Sequence, residues 1–177
     1  MEIRKLIYLL IIMIMATLFS CSTIPKGVVA ITPFESERYL GKWYEIARID
    51  FKYEKDLNNV TAHYSLNEDG TIKVDNRGFN TVTKEWSQAI GKAKFAKDEN
   101  IAMLKVSFFG PFYSGYNVIA IDPDYRYALI GGSKFKYLWI LSREADIPKE
   151  VEDIYLKMAK EAGYHVQDLL WIEHSKK

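Results

Sequence analysis

The most limiting feature of this 177-residue chain is its single cysteine, Cys21, which excludes any disulfide within the chain. The chain also lacks an excess of charge of either sign, because 24 Lys and Arg residues face 23 Asp and Glu residues. This balance excludes the broad basic surface that a nucleic-acid-binding protein presents. Histidine is scarce, and His63, His165 and His174 are not spaced as metal ligands. The length is that of one domain or, less favoured, of two very small ones.

The only long apolar run lies at the N-terminus. Arg4 and Lys5 precede the uncharged stretch 6–19, and Ser20 leads into Cys21. This order predicts a secretory signal peptide over 1–20, because the run is too short for a comfortable transmembrane span. The stretch 18–21 resembles a lipobox, which implies that the Cys21 thiol receives a diacylglycerol, that the chain is cut before it, and that the new amine is acylated, for example with palmitate. The alternative is a free cysteine after an ordinary signal peptide.

Aromatic side chains, in contrast, are abundant, with 12 Tyr, 9 Phe and 4 Trp residues. Such residues favour β-strands and supply large apolar surfaces with polar tips. Apolar and polar residues alternate in eight runs, which predict strands at 42–49, 60–66, 71–79, 86–96, 101–109, 116–122, 125–131 and 137–142.

The connections between these runs are too short for a crossover helix, so sequence neighbours are expected to pair antiparallel. An up-and-down β-barrel accommodates eight such strands and leaves no free edge. A flat meander or a sandwich is the alternative, and periodicity alone does not exclude either.

The chain outside the eight runs gives weaker signals. Residues 21–33 contain Pro25 and Pro33 and lack a periodic pattern, which predicts a lipidated tether before a domain over 34–177.

After the eighth run, apolar residues recur at three- and four-residue intervals between 151 and 162. This predicts an amphipathic helix on the outside of the sheet, with Asp146 as its cap, Pro148 in its first turn and Gly163 at its end. Residues 169–172 predict a short last strand.

Three short segments carry a family resemblance. Gly41-Lys42-Trp43 contains a Gly-x-Trp motif, the sequence Asp-Pro-Asp-Tyr at 122–125 resembles a turn motif before the seventh strand, and Leu-Ser-Arg at 141–143 resembles the basic end of the eighth. With this spacing the chain resembles the bacterial lipocalins over 34–173. The match departs mildly at Pro123, where the broad family often has threonine or another small residue. The resemblance implies an all-β fold, an eight-stranded antiparallel barrel that holds one apolar ligand.

In such a barrel the three motifs meet at one end. Trp43 is expected to plug this base, and Arg143 to stack over its ring, in a structural role. With the base fixed, the alternation of side chains predicts which residues face the ligand. They are Glu45, Ala47, Tyr64, Asn76, Ala89, Leu104, Val106, Tyr116, Val118, Tyr137, Trp139 and Leu141. The alternative for each is plain packing in a filled core.

A carboxylate at Glu45 inside the barrel should have a raised pKa from desolvation unless it meets a partner. We expect it to keep an anionic ligand group out of the depth of the pocket. The opposite end is the mouth, and its loops are rich in aromatic residues and in lysines. These lysines either attract anionic headgroups or simply solvate the loops, and they are Lys52, Lys55, Lys84, Lys134 and Lys136.

The leading functional hypothesis is binding, storage or transport of fatty acids, lysophospholipids or similar ligands at the bacterial outer membrane. No cofactor and no catalytic constellation are expected, because Glu45 is the only candidate group inside and no inward His or Cys offers a haem ligand. A structural envelope lipoprotein without a ligand and, less favoured, a lipocalin-fold enzyme are the alternatives. A homodimer is left open by Ile119 and Ile121, which the alternation places on the outer face.

Overall fold

The computed structural model describes residues 23–175, so the predicted signal peptide and Cys21 lie outside the described residues. A four-residue helix, α1 (Ser36–Tyr39), precedes eight strands, a longer helix and a short last strand. The strands and the second helix are β1 (Gly41–Ile49), β2 (Leu57–Leu66), β3 (Ile72–Asn80), β4 (Trp86–Phe95), β5 (Met103–Phe109), β6 (Phe112–Ile121), β7 (Tyr127–Gly132), β8 (Leu138–Ser142), α2 (Lys149–Glu161) and β9 (Leu169–Trp171).

Strands β1 to β8 form a closed barrel. Each strand from β2 to β8 pairs antiparallel with its neighbour in sequence, and β1 pairs with both β8 and β2. Closure excludes the flat meander and the sandwich. Strand β9 pairs with Ala47–Ile49 of β1, beyond the point where β2 leaves that strand. The predicted strands are correct in number and order, and the largest difference is β6, which begins at Phe112 instead of residue 116.

The barrel has two different ends. The connections 50–56, 81–85, 110–111 and 133–137 lie at one end, which we call the mouth. The connections that follow β2, β4, β6 and β8 lie at the other end, the base.

A bulge in β6 between Val118 and Ala120 interrupts the alternation of inward and outward side chains. Val118 and Ile121 pack in the inner cluster, whereas Ile119 and Ala120 pack in the outer one. The expectation that Ile119 and Ile121 share the outer face is therefore wrong for Ile121. Neither residue is fully exposed.

Helix α2 covers the outside of the barrel, where Tyr155 and Ala159 are buried against outward residues of the sheet. The predicted cap is wrong, because the helix begins at Lys149 and the extended Pro148 precedes it without a side-chain cap. The carbonyl of Pro148 instead accepts hydrogen bonds from the amides of Val151 and Glu152. Gly163 follows the helix with φ +98°, as its role as a stop predicts.

The segment 23–33 differs from a free tether. Val28 and Ala30 are buried, and the Ile31 amide donates a hydrogen bond of 2.9 Å to the Val118 carbonyl. The Asn117 side chain, fully buried, donates to the Thr23 carbonyl at 2.7 Å. These contacts hold the segment against the wall of the barrel. Among the described residues, no helix has the length and apolar character that a membrane crossing requires.

Candidate ligand-binding site

The base of the barrel is closed by Trp43 and Arg143. Trp43 is fully buried, its indole N–H donates to the Tyr39 carbonyl at 2.8 Å, and the Arg143 guanidinium carbon lies 3.8 Å from the centroid of its ring. Arg143 also donates to the carbonyls of Lys42 and Arg38, at 2.8 and 2.7 Å. The predicted stacking is therefore present. Together with a third hydrogen bond, to the Tyr125 carbonyl at 3.2 Å, these bonds join the cation to helix α1, strand β1 and the turn before β7.

Above Trp43, three tyrosines form the floor of the interior. The Tyr116 hydroxyl lies 2.6 Å from that of Tyr39 and 2.9 Å from that of Tyr64. The rings of Tyr39 and Tyr64 are stacked at 5.4 Å. The pKa of each of the three hydroxyls is raised above the ordinary value of 10, and burial is the largest cause. The hydroxyls are therefore neutral hydrogen-bonding groups at physiological pH.

Ala47 does not face the interior. A bulge between Glu45 and Ala47 shifts the register of β1 against β8, so that Ala47 pairs with Ile140 and packs in the outer cluster. Arg48 takes the inward position instead, opposite Trp139. Strict alternation from Trp43 thus predicts Glu45 correctly and fails two residues later, because the extra residue reverses the faces.

Glu45 and Arg48 belong to a buried ionic network near the mouth. The Arg48 side chain is fully buried, and it donates to a Glu45 oxygen at 2.8 Å, to an Asp50 oxygen at 3.0 Å and to the Glu54 carbonyl at 2.5 Å. Trp139 donates its indole N–H to the Glu54 carboxylate at 3.0 Å. Three carboxylates therefore surround one guanidinium, and its donors are already engaged by protein oxygens.

The pKa of Glu45 is raised well above its ordinary value of 4.5. Burial is the largest cause, and the nearby Glu54 carboxylate is the second. The positive charge and the hydrogen bonds of Arg48 lower this pKa but do not cancel the rise. Burial also raises the pKa of Glu54. Arg48 is therefore a charged partner of Glu45, yet desolvation of the carboxylate has the larger effect on the pKa of Glu45.

The upper interior is accessible along β4. Ala89 pairs with Asn76, which pairs with Ala62 opposite Trp43, so all four side chains share the inner face. Ala89 is nevertheless exposed, as are its neighbours from Trp86 to Ile90 on both faces of the strand. The Asn76 Oδ1 atom is buried and has no partner among the described atoms. The lower interior is filled by buried residues, whereas this upper part is open.

The wall also opens between β4 and β5. These strands pair only between Lys92–Phe95 and Leu104–Ser107, so their mouth-side parts diverge. A pocket of about 430 Å³ lies beside this gap on the outer wall, and Gly91 and Phe108 contribute to its lining. The Phe108 ring occupies the space where a Cβ on Gly91 would stand.

The remaining predicted residues fall on the inner side of the wall at different depths. Tyr64, Leu104, Val118 and Leu141 are buried members of the inner cluster, and Val106, Tyr116 and Trp139 are half-buried against it. Tyr137 lies at the mouth, where its ring stacks on Trp139 with an interplanar angle of 6°.

Two polar side chains of the floor and of the buried network, those of Tyr39 and Arg48, were missed from the sequence. Tyr39 precedes the first strand, where no alternation exists to assign it a side. Arg48 was missed because strict alternation from Trp43 places it on the outer face, where a charged side chain is expected. A carboxylate three positions earlier, Glu45, was the one available signal for an ion pair.

The comparisons with known proteins settle the family. A model of the lipocalin-like domain matches residues 34–174. This chain belongs to the lipocalin family. The outer membrane lipoprotein Blc of Citrobacter freundii is 50% identical over 154 residues, which cover 87% of each chain. The protein of the same name from Vibrio cholerae is 42% identical, over 86% of this lipocalin and 90% of that protein.

Solved structures agree on the fold. Insecticyanin from the tobacco hornworm Manduca sexta superposes with a TM-score of 0.70 at 19% identity, over 88% of each chain. At this identity the likeness concerns the lipocalin barrel alone.

Proposed function

We propose that this lipocalin binds one lipid with a fatty acyl chain, such as a fatty acid or a lysophospholipid, and stores or carries it at the bacterial outer membrane. The observation that carries the proposal is the open upper interior, where the inward Ala89 is exposed above a sealed base. The names of the relatives, outer membrane lipoproteins, support the location.

The acyl chain would lie between the tyrosine floor and the mouth. The proposed contacts are Glu45, Tyr64, Asn76, Ala89, Leu104, Val106, Tyr116, Val118, Tyr137, Trp139 and Leu141. Burying about twelve methylene groups at about 0.8 kcal/mol each contributes about 10 kcal/mol before association and ordering costs. A micromolar affinity corresponds to about 8 kcal/mol, so it is feasible where a preformed pocket keeps those costs small.

The polar head of the ligand would stay at the mouth. Arg48 is already engaged by Glu45, Asp50 and a main-chain carbonyl, so it offers no cation to an anionic head inside. The exposed lysines of the mouth connections, such as Lys52 and Lys136, are available instead. We propose binding and not catalysis, because the one ionisable group expected inside, Glu45, is taken up in this ion pair.

The membrane link is proposed to be Cys21. In this scheme the signal peptide 1–20 is removed, Cys21 carries the lipid, 21–33 joins it to the barrel, and 34–177 forms the lipocalin domain. Formation of a homodimer is a separate prediction, which light scattering of the detergent-extracted protein measures.

Native mass spectrometry of the protein purified from its host tests lipid carriage directly. A bound acyl species is expected, and a protein that is empty and does not take up added palmitate would favour a structural envelope lipoprotein.

A matched pair of variants tests the site. Ala89→Trp fills the open interior and should weaken binding of a fluorescent fatty acid at least about tenfold, the factor that corresponds to 1.4 kcal/mol. Gln88→Trp adds the same ring to the outer face of the same strand and should leave binding unchanged. Equal effects of the two variants would argue against an interior site.

A further inference from the structure

Exposed apolar side chains are concentrated at the mouth. Seven of the fourteen large exposed apolar residues in the described chain lie there, and only Leu66 of this set lies at the base. The seven are Tyr53, Val82, Trp86, Phe109, Phe112, Tyr113 and Phe135. Single exposed apolar residues are normal on a protein surface, but a set gathered at one end indicates a contact surface.

The hairpin between β5 and β6 carries two of the most exposed apolar side chains at the mouth. Phe109 and Phe112 pair across its tip and are 69% and 79% exposed. Phe109 also approaches Tyr53 of a neighbouring mouth connection, with ring centroids 6.1 Å apart. Two phenylalanine rings on a turn present the apolar wedge that a lipid interface accommodates.

Positive charge lies at the same end of the barrel, in the mouth connections. Lys52 lies over the ring of Tyr53 at 4.5 Å, and Lys136 lies over that of Tyr137 at 5.0 Å. Of the four acidic residues in the mouth connections, Asp50 and Glu54 are turned toward Arg48, whereas Asp56 and Glu85 are exposed. The five exposed lysines of these connections outnumber the two carboxylates that do not face Arg48, so the mouth favours anionic headgroups.

The N-terminal segment leads toward the same end of the barrel. It leaves the base at Phe34, whose amide bonds the Asn100 carbonyl, and reaches β6 at Ile31 beside Val118. At Thr23 it lies against Gly115, where a Cβ would overlap the Thr23 carbonyl.

This position is close to the mouth. Gly115 lies three residues after Phe112, the first residue of β6 and its mouth end, which is a distance of about 10 Å along the strand. Cys21 is two residues before Thr23, within about 7 Å of chain. An anchor at Cys21 is thus joined to the mouth half of the wall.

We propose that the lipocalin docks its mouth on the membrane that holds its own anchor, with Phe109 and Phe112 inserted at the lipid interface. This inference rests on the proposed acylation of Cys21 and adds an orientation to it. With the mouth down, the open interior beside Ala89 and the gap between β4 and β5 face the acyl chains, so a lipid could transfer without crossing water.

Depth-dependent fluorescence quenching tests this orientation on the lipidated mature protein, which begins at Cys21. The protein is reconstituted in vesicles of phosphatidylethanolamine and phosphatidylglycerol with brominated acyl chains. The only native thiol, that of Cys21, is consumed by the diacylglycerol it carries, so a maleimide dye labels Thr83→Cys at the mouth or Glu68→Cys at the base selectively. Strong quenching of the mouth label alone is expected. Quenching of the base label to the same extent, or of neither label, would overturn the proposal.

Two further variants identify the contact. Phe109→Ser with Phe112→Ser should lower quenching of the mouth label toward the base value, and Leu66→Ser, an equivalent change at the base, should not. Unchanged quenching in the double variant would also overturn the proposal. Fatty-acid binding, measured on the same samples, should persist in the double variant, so a failure of docking is separable from a failure of lipid carriage.

Discussion

Replacing Arg48 by methionine tests the energetic importance of the buried network near the mouth. The variant keeps an apolar stem and removes a fully buried guanidinium that bonds Glu45 at 2.8 Å and Asp50 at 3.0 Å. One such pair, with charge centres about 4 Å apart, is worth about 4 kcal/mol at an effective dielectric constant of about 20. Removing one partner of a buried pair costs about 3–5 kcal/mol.

The loss should depend on pH. Without Arg48 the pKa of Glu45 rises further, so the carboxyl group takes up a proton and part of the penalty disappears at low pH. We expect the free energy of unfolding to fall by about 3–5 kcal/mol at pH 8 and by clearly less at pH 5. Urea unfolding followed by tryptophan fluorescence measures both values, provided that the slope with urea is unchanged.

Two comparisons make this test decisive. Adding Glu45→Gln to Arg48→Met removes the orphaned charge and should recover part of the loss at pH 8. Arg77→Met breaks a pair with Asp75 in which the arginine is 58% exposed, and it should change stability little at either pH. If Arg48→Met behaves like Arg77→Met, or loses equal stability at both pH values, the reasoning about the buried network is refuted.

Three other perturbations address separate parts of the barrel. Because the folded protein binds the Glu45 proton more tightly than the unfolded chain, stability should fall as the pH rises above 4.5, and Glu45→Gln should flatten this decline in urea midpoints between pH 4.5 and 8. Arg143→Met removes the cation from the Trp43 ring and three hydrogen bonds, so we expect a loss of about 2–4 kcal/mol in thermal or urea unfolding. Gly115→Ala sets a methyl group against the Thr23 carbonyl and should speed amide exchange in residues 23–33, followed by mass spectrometry.

Two of these perturbations have a matched control variant, and the third has an outcome that would contradict it. Gly110→Ala meets no atom within 4 Å and should not change exchange in 23–33. Arg126→Met removes an arginine that lies over a tyrosine ring on the outer surface, and a loss as large as that of Arg143→Met would contradict the role of the base. For Glu45→Gln, midpoints that parallel those of the parent at every pH would contradict the raised pKa.

Local patterns in the sequence predicted the elements and their order. Alternation along the chain and short turns placed eight strands, because a side-chain period of two and a connection of a few residues are properties of neighbouring residues. The motifs at Trp43 and Arg143 predicted the base. In an antiparallel up-and-down barrel the start of the first strand and the end of the eighth lie at the same end, so the order of strands alone brings these two residues together. The 3.6-residue period after the eighth strand predicted α2, although its cap was misplaced.

Tertiary structure decided which side chains face inward in the parts of β1 and β6 that follow a bulge. The bulges after Glu45 and Val118 depend on the register of neighbouring strands, and each reverses the faces that follow, so Ala47 moved out and Arg48 moved in. The packing of 23–33 on the wall, through Asn117 and Thr23, joins residues 94 positions apart. No local pattern encodes such contacts, because they depend on how the closed sheet brings distant backbone atoms together.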